Sequence, residues 1–139
     1  MKKLLLILII PLLSFGQSLE INTQKAAECI KKNNYKEAII YLTIALGIDS
    51  EDITSVGFMA MAQNGVDEFE LSLIYSNKWL ELAIENNDIV EQTNALWYQG
   101  LNDYLMGNDN FCDYWMAAVL IGSKHLQEYF LQVINEKCN

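Results

Sequence analysis

The chain has 139 residues, 52% of them hydrophobic, which is enough for one packed domain and too apolar for a wholly disordered polymer. Nine basic residues stand against eighteen acidic ones, a net charge of −9. Every base is Lys, so the Arg forks and cationic clusters that a nucleic-acid binder uses are missing.

The first residues read as an address. Lys2 and Lys3 form a basic start, residues 4–13 are an apolar run interrupted only by Pro11, and Ser14-Phe15-Gly16 offers small residues at an exit. This pattern predicts a secretory signal peptide over 1–16 and a domain over 17–139. Ten apolar residues span about half of a bilayer core, too few for an anchor. Cys29 lies thirteen residues beyond Gly16, so no lipidation cysteine marks the exit. Without Lys2 and Lys3, seven Lys face eighteen carboxylates, a net of −11 that repels anionic lipid and nucleic acid. The expectation is an exported protein, periplasmic or secreted, with no membrane span once the signal is removed.

Beyond Pro11 there is no further Pro and Gly is sparse. Apolar residues recur at helical spacing, as in Ala38, Ile39, Leu42, Ala45 and Leu46, and sustained period-two alternation is absent. Helices are predicted over 19–32, 35–47, 51–63, 67–86, 89–106, 109–121 and 124–137. Turns are expected at Asn33-Asn34, Asn64-Gly65, Asn86-Asn87-Asp88, Gly107-Asn108 and Gly122-Ser123. Asp88 followed by Glu91 reads as a capping box. Small residues pair at a constant offset of 12: Ala26 with Ala38, Ala60 with Ser72, Gly100 with Cys112. The pairs step by 34 and then 40 residues. Antiparallel helices approach closely only where a small side chain faces its neighbour, so this is a helix–turn–helix repeat, with longer helices around 80–92 stretching the second step.

The stretch Tyr35-Lys-Glu-Ala38-Ile-Ile-Tyr41-Leu-Thr-Ile-Ala45-Leu-Gly-Ile-Asp49-Ser50 resembles the second helix of a tetratricopeptide repeat and its exit turn, with Ser50 where the family often has Pro. Glu70-Leu-Ser72-Leu-Ile-Tyr75-Ser-Asn-Lys-Trp79-Leu-Glu-Leu-Ala83 is similar, with Trp79 in place of a small residue. Ala95-Leu-Trp97-Tyr-Gln-Gly100 followed by Tyr104-Leu-Met-Gly107 resembles a first helix and its turn. The closing residues Cys112, Trp115, Ala117-Ala118, Gly122 and Cys138 resemble the end of exported bacterial repeat proteins. The resemblance covers nearly all of 19–138. It implies an all-α solenoid of about three helical hairpins with a C-terminal capping helix, and it says little about function.

Three cysteines in an oxidising compartment make a disulfide the first expectation. Cys112 near the start of the sixth helix and Cys138 at the end of the seventh come together if those helices run antiparallel. A bridge there closes a loop worth roughly 3–4 kcal/mol. The two arms differ in length, about 15 against 22 Å, so fraying at the C-terminus is expected to absorb the difference. Cys29 remains free, read as a small buried thiol, with a redox role only if Lys25, Lys31 and Lys32 make its surroundings electropositive. Zinc on Cys112, His125 and Cys138 is the competing reading. It lacks a fourth ligand and the short paired spacings that zinc sites use, and His125 is expected on the surface of the last helix. No metal and no cofactor are therefore expected.

No phosphate loop, HExxH motif or nucleophile–base frame is present, so no catalytic residue is assigned. Glu68 with Glu70, or Asp109 with Asp113, are the carboxylate pairs an enzyme reading would have to use, and the pattern favours a solvated acidic face for them. In the resembled family the first helix of each pair lines the concave face. Carried over by position, that implies Thr23, Ala27 and Ile30 from the first pair, Gly57, Met61 and Asn64 from the second, and Tyr98, Leu101 and Tyr104 from the third. The family's Lys, Asn and Arg carboxylate clamp is absent at these positions. Trp79, Trp97 and Trp115 suit either a core or an interface. The expected function is a non-catalytic scaffold that binds a protein or peptide on this face. The alternatives are a self-associating structural subunit, because solenoids without polar caps stack, and a small hydrolase with an acidic site.

Overall fold

A computed structural model describes residues 2–122 and 124–138, with side chains placed for 14–122 and 127–138. Among the described residues there are seven helices: α1 (Lys2–Lys31), α2 (Tyr35–Ile48), α3 (Ile53–Gly65), α4 (Phe69–Glu85), α5 (Ile89–Met106), α6 (Phe111–Ile121) and α7 (Lys124–Lys137). There is no strand among the described residues. Neighbouring helices pack as hairpins, α1 on α2, α3 on α4 and α5 on α6, and α7 closes the end against α6. The chain is thus an all-α helical repeat with three hairpins and a terminal helix.

The turns explain the period. Four helices end in the same way, with a left-handed residue at Asn33, Asp67, Asn87 and Gly107. At each one the following amide reaches back five residues, for example Asn34 N to the Cys29 carbonyl at 2.8 Å and Glu68 N to the Gln63 carbonyl at 2.9 Å. This is a Schellman closure, which satisfies helix-end carbonyls and reverses the chain. The turns inside hairpins, at 33, 67 and 107, are spaced by the same 34 and 40 residues as the small-residue pairs. The longer step comes from α4 and α5, of 17 and 18 residues against 14 and 13 for α2 and α3. Gly65, expected at a turn, lies inside the end of α3 with the Tyr35 ring against it, and Asp67 takes the left-handed position instead. The link between α2 and α3 differs: Asp49 Oδ1 accepts from Glu51 N, and Asp52 caps α3 by accepting from Ser55 N, both at 2.9 Å.

Close approach within hairpins follows the small residues, with one exception. Ala26 and Ala38 are fully buried, and Ser72 Oγ donates to the Ala60 carbonyl at 2.7 Å. In the third hairpin, a Cβ on Gly100 would lie 3.0 Å from the Phe111 carbonyl and against the Trp115 indole, so Phe111 and Trp115, not Cys112, make the crossing. Gly57 does the same for Trp79, whose indole carbons lie 2.6–3.1 Å from where its Cβ would stand. A large residue at position 79 is therefore matched by removal of a side chain on the facing helix.

The core is serial. One cluster joins α1, α2 and α3 through Ala26, Ala38, Leu42, Met59 and Ala62. A second joins α3, α4 and α5 through Val56, Ala60, Trp79, Leu82 and Ala95. A third joins α5, α6 and α7 through Leu96, Trp115, Ala118, Val119, Phe130 and Ile134. Each hairpin leans on the next, as expected of a quasi-one-dimensional repeat. Trp79 and Trp115 are buried, and Trp97 is half-buried. Trp97 stacks on Trp115 at 5.0 Å and on Phe130 at 4.5 Å, which docks α7.

Cys112 and Cys138 form a disulfide with Cα atoms 5.8 Å apart. The expected fraying does not occur: α7 is helical to Lys137, and Cys138 N still donates to the Ile134 carbonyl at 2.8 Å. α7 packs on α6 and reaches α5 through Phe130, whose ring stacks on Trp97. A second correction concerns α1, which runs unbroken from Lys2 instead of starting at 19. Gly16, the weakest helix former between Ser14 and Ser18, costs only about 1 kcal/mol, too little to end the helix. The side chains of residues 1–13 and of His125, and all of Ser123, lie outside the described residues. Among the described residues no helix is long and apolar enough to cross a membrane.

Candidate functional site

The first helices of successive hairpins touch, α1 with α3 and α3 with α5, while α2, α4 and α6 make no such contacts with one another among the described residues. The array therefore curves with α1, α3 and α5 on its inner side. Two adjoining cavities run along that side. The first, about 490 Å³, lies between α1 and α3 and is lined by residues that include Leu19, Glu20, Ala27, Asp52 and Phe58. The second, about 360 Å³, lies between α3 and α5 over Trp79 of α4, with Met61, Glu91, Asn94 and Tyr98 in its wall. Thr54 and Phe58 belong to both, so the two form one groove.

The nine positions expected on this face fall into separate settings. Thr23 and Ala27 line the first cavity. Thr23 Oγ1 also donates to the Leu19 carbonyl and stands 2.9 Å from Ser55 Oγ, which ties α1 to α3. Gly57, Met61 and Tyr98 line the second cavity. Ile30 packs against the α1–α2–α3 core. Leu101 is half-buried and lines neither cavity. Tyr104 sits beyond the groove, edge-on to Phe111 at 5.2 Å and near Trp115 at 5.9 Å, with Lys137 Nζ 5.4 Å from its ring. The positions carried over from the resembled family therefore do not share one depth, and Tyr104 lies against the aromatic rings at the C-terminal end instead of in the groove.

Asn64 is part of a polar chain that links α3, α4 and α5. Its Nδ2 donates to Asn102 Oδ1 at 2.8 Å, Asn102 Nδ2 donates to Ser72 Oγ at 2.8 Å, and Ser72 Oγ donates in turn to the Ala60 carbonyl. Asn102 and Ser72 are fully buried. These bonds fix α3, α4 and α5 in register. A buried polar chain with matched partners specifies one arrangement, because any shift strands a donor.

Several groove residues were not assigned from the sequence, among them Phe58, Trp79 as cavity floor, and Glu91. The last had a signal that pointed elsewhere. Asp88 does cap α5, its Oδ1 accepting from Val90 N and Glu91 N at 3.1 Å. Glu91 is turned away from the cap, and its Oε2 accepts from the Trp79 indole Nε1 at 2.7 Å. The box is half-formed because the indole offers the carboxylate a donor inside the groove. Tyr98 lies 6.0 Å from Trp79, and burial, with a smaller contribution from Tyr35, holds its phenol above the ordinary value. It is a neutral hydroxyl at physiological pH.

Other candidates stand apart from the groove. Glu68, Glu70, Asp109 and Asp113 are exposed and line neither cavity. Cys29 is half-buried, in a separate cleft with Lys25, Lys32 and Glu37. Burial first and Glu37 second raise its thiol, outweighing the lowering by Lys32. Among the described residues no group of three His, Cys, Asp or Glu side chains stands close enough to hold a metal ion. No family model, no curated protein and no solved structure matches the chain.

Proposed function

We propose that the chain is a tetratricopeptide-like, non-catalytic scaffold of the exported or periplasmic space that binds a peptide or a partner helix on its inner face. The observation that carries the reading is the continuous groove made by α1, α3 and α5, walled by Ala27, Phe58, Met61, Trp79 and Tyr98. Rigid aromatic side chains suit recognition, because they bury large area while losing few torsions. The Cys112–Cys138 bridge supports an oxidising destination, and the charge pattern of residues 1–16 supports removal of a signal peptide. Intact mass of the exported protein tests the latter, since a mature form that retains residues 4–13 refutes it.

Self-association is the second reading, favoured by exposed Ile40 and Ile44 on α2, Ile74 on α4 and Leu120 on α6, all on the second helices. One experiment separates the two. Thr54 is exposed at the junction of both cavities, so Thr54→Tyr fills the groove without touching the core. The mature protein, Thr54→Tyr and Ile74→Ser are each used to capture chains from the native envelope, and their mass is followed against concentration. Loss of partners with Thr54→Tyr alone supports the groove. Partners or dimers lost only with Ile74→Ser move the function to the outer helices.

A further inference from the structure

The α3–α5 cavity has an unusual composition for a peptide groove. Its wall carries Phe58, Met61, Trp79, Glu91 and Tyr98, which are three aromatic rings, a thioether and one carboxylate, and no Lys, Arg or His lines it. The adjoining cavity adds Glu20 and Asp52 and again no base. Three of the chain's own cations are engaged elsewhere. Lys25 Nζ lies 5.3 Å from the Tyr41 ring, Lys78 Nζ donates to the Ser50 carbonyl at 2.6 Å, and Lys137 stands over Tyr104. Glu91 is half-buried, and its position among the rings is set by the 2.7 Å bond from the Trp79 indole.

Resting on the groove reading above, we propose that this cavity seats a cationic side chain, a Lys ammonium or Arg guanidinium, carried on an otherwise apolar stretch of the partner polypeptide. Three alternatives compete for the space. An anion meets Glu91, Glu20 and Asp52 and is repelled. A purely apolar side chain fills the cavity but strips water from Glu91 without returning a counter-charge, which is costly. A long cationic side chain does both jobs: its aliphatic stem packs on Met61 and Phe58, and its head lies among the Trp79 and Tyr98 rings beside the carboxylate. About 360 Å³ is at the small end for a ligand site, a volume suited to one side chain and not to a helix. The net charge of −9 draws a basic segment to the groove and repels an acidic one.

The test uses the mature chain and three fluorescein-labelled dodecapeptide pools, randomised over Leu, Val, Ser and Tyr, with Lys, norleucine or Glu fixed at the centre. Fluorescence anisotropy is expected to show the Lys pool binding about tenfold more tightly than either other pool. That preference is expected to shrink as NaCl rises from about 50 to 500 mM. Glu91→Gln keeps an acceptor for the Trp79 indole and removes only the charge, so it is expected to cut the preference to below about threefold with an unchanged circular dichroism spectrum. Equal binding of the Lys and norleucine pools overturns the cation assignment and leaves the groove standing. A Lys preference that survives Glu91→Gln overturns the assignment to this cavity. Failure of every pool to bind overturns both the cation site and the groove reading.

Discussion

Replacing Gly57 by Ala sets two well-defined effects against each other. In a helix interior, Ala is favoured over Gly by about 1 kcal/mol, so on propensity alone the substitution stabilises α3. The new Cβ, however, would stand 2.6, 2.8 and 3.1 Å from three carbons of the Trp79 indole. Ordinary contact between carbons lies at about 3.5–4.0 Å, so the overlap approaches 1 Å. The indole has little room to retreat, because its Nε1 is tied to Glu91, Tyr98 lies beside it, and its edge belongs to the α3–α4–α5 core. Overpacking of this kind costs about 2–3 kcal/mol. The expected net is a loss of about 1–2 kcal/mol, or a fall in Tm of about 5 °C for a domain of this size. Urea unfolding followed by far-ultraviolet circular dichroism measures it. The mechanism is isolated by a double-mutant cycle with Trp79→Leu. With the indole gone, the added methyl group fills space instead of clashing, so the two substitutions should couple favourably by at least about 1 kcal/mol. A Gly57→Ala protein as stable as the parent, or more stable, refutes the seating of Trp79 on Gly57 and with it the shape given to the α3–α5 cavity.

Further outcomes follow from other parts of the molecule. Reducing the Cys112–Cys138 bridge, or replacing both by Ser, is expected to lower stability by about 3.5 kcal/mol for a 26-residue loop, measured by chemical denaturation with and without reductant; a loss under about 1 kcal/mol would show that α7 is held by Trp97 and Phe130 alone. Asn102→Ala leaves Asn64 and Ser72 short of a buried partner and should cost about 2–4 kcal/mol, whereas a neutral result would mean that the polar chain linking α3, α4 and α5 does not set helix register. For Cys29 the sign is upward: its thiolate forms at higher pH than that of free cysteine, so alkylation by iodoacetamide across a pH series should reach half-maximal rate above the free-thiol value and run more slowly than free cysteine at about pH 8. A midpoint below the free-thiol value would restore the redox reading.

Much of the architecture was legible because it rests on local rules. The helices follow from apolar spacing such as Ala38, Leu42 and Ala45, and the repeat follows from Ala26/Ala38 and Ala60/Ser72, since close packing of two helices needs a small residue at a fixed offset from the turn. The Cys112–Cys138 pairing was legible for the same reason, as antiparallel neighbours bring the start of one helix to the end of the next. Local rules also misdirected. Asn64-Gly65 has the composition of a turn, yet Asp67 carries the positive φ, and Gly65 stays in α3, where its missing side chain leaves room for the Tyr35 ring. Asp88 and Glu91 have the spacing of a reciprocal cap, but an indole twelve residues upstream on another helix competes for the carboxylate.

Tertiary structure alone decided which positions on the inner face are open and which are occupied. Periodicity assigns a residue to a face of its helix and is blind to what the next helix brings there. Ile30 goes to the core, Asn64 goes to Asn102 thirty-eight residues away, and Tyr104 joins the aromatic cluster under α7. Phe58 and Glu91 enter the groove on contacts that no single helix encodes. The amino-acid sequence by itself thus determined the helices, their hairpin pairing and the bridge, each a matter of chain-local geometry. The groove and its carboxylate arise where α3, α4 and α5 meet, and interactions between residues far apart in the chain become visible only once those helices are packed.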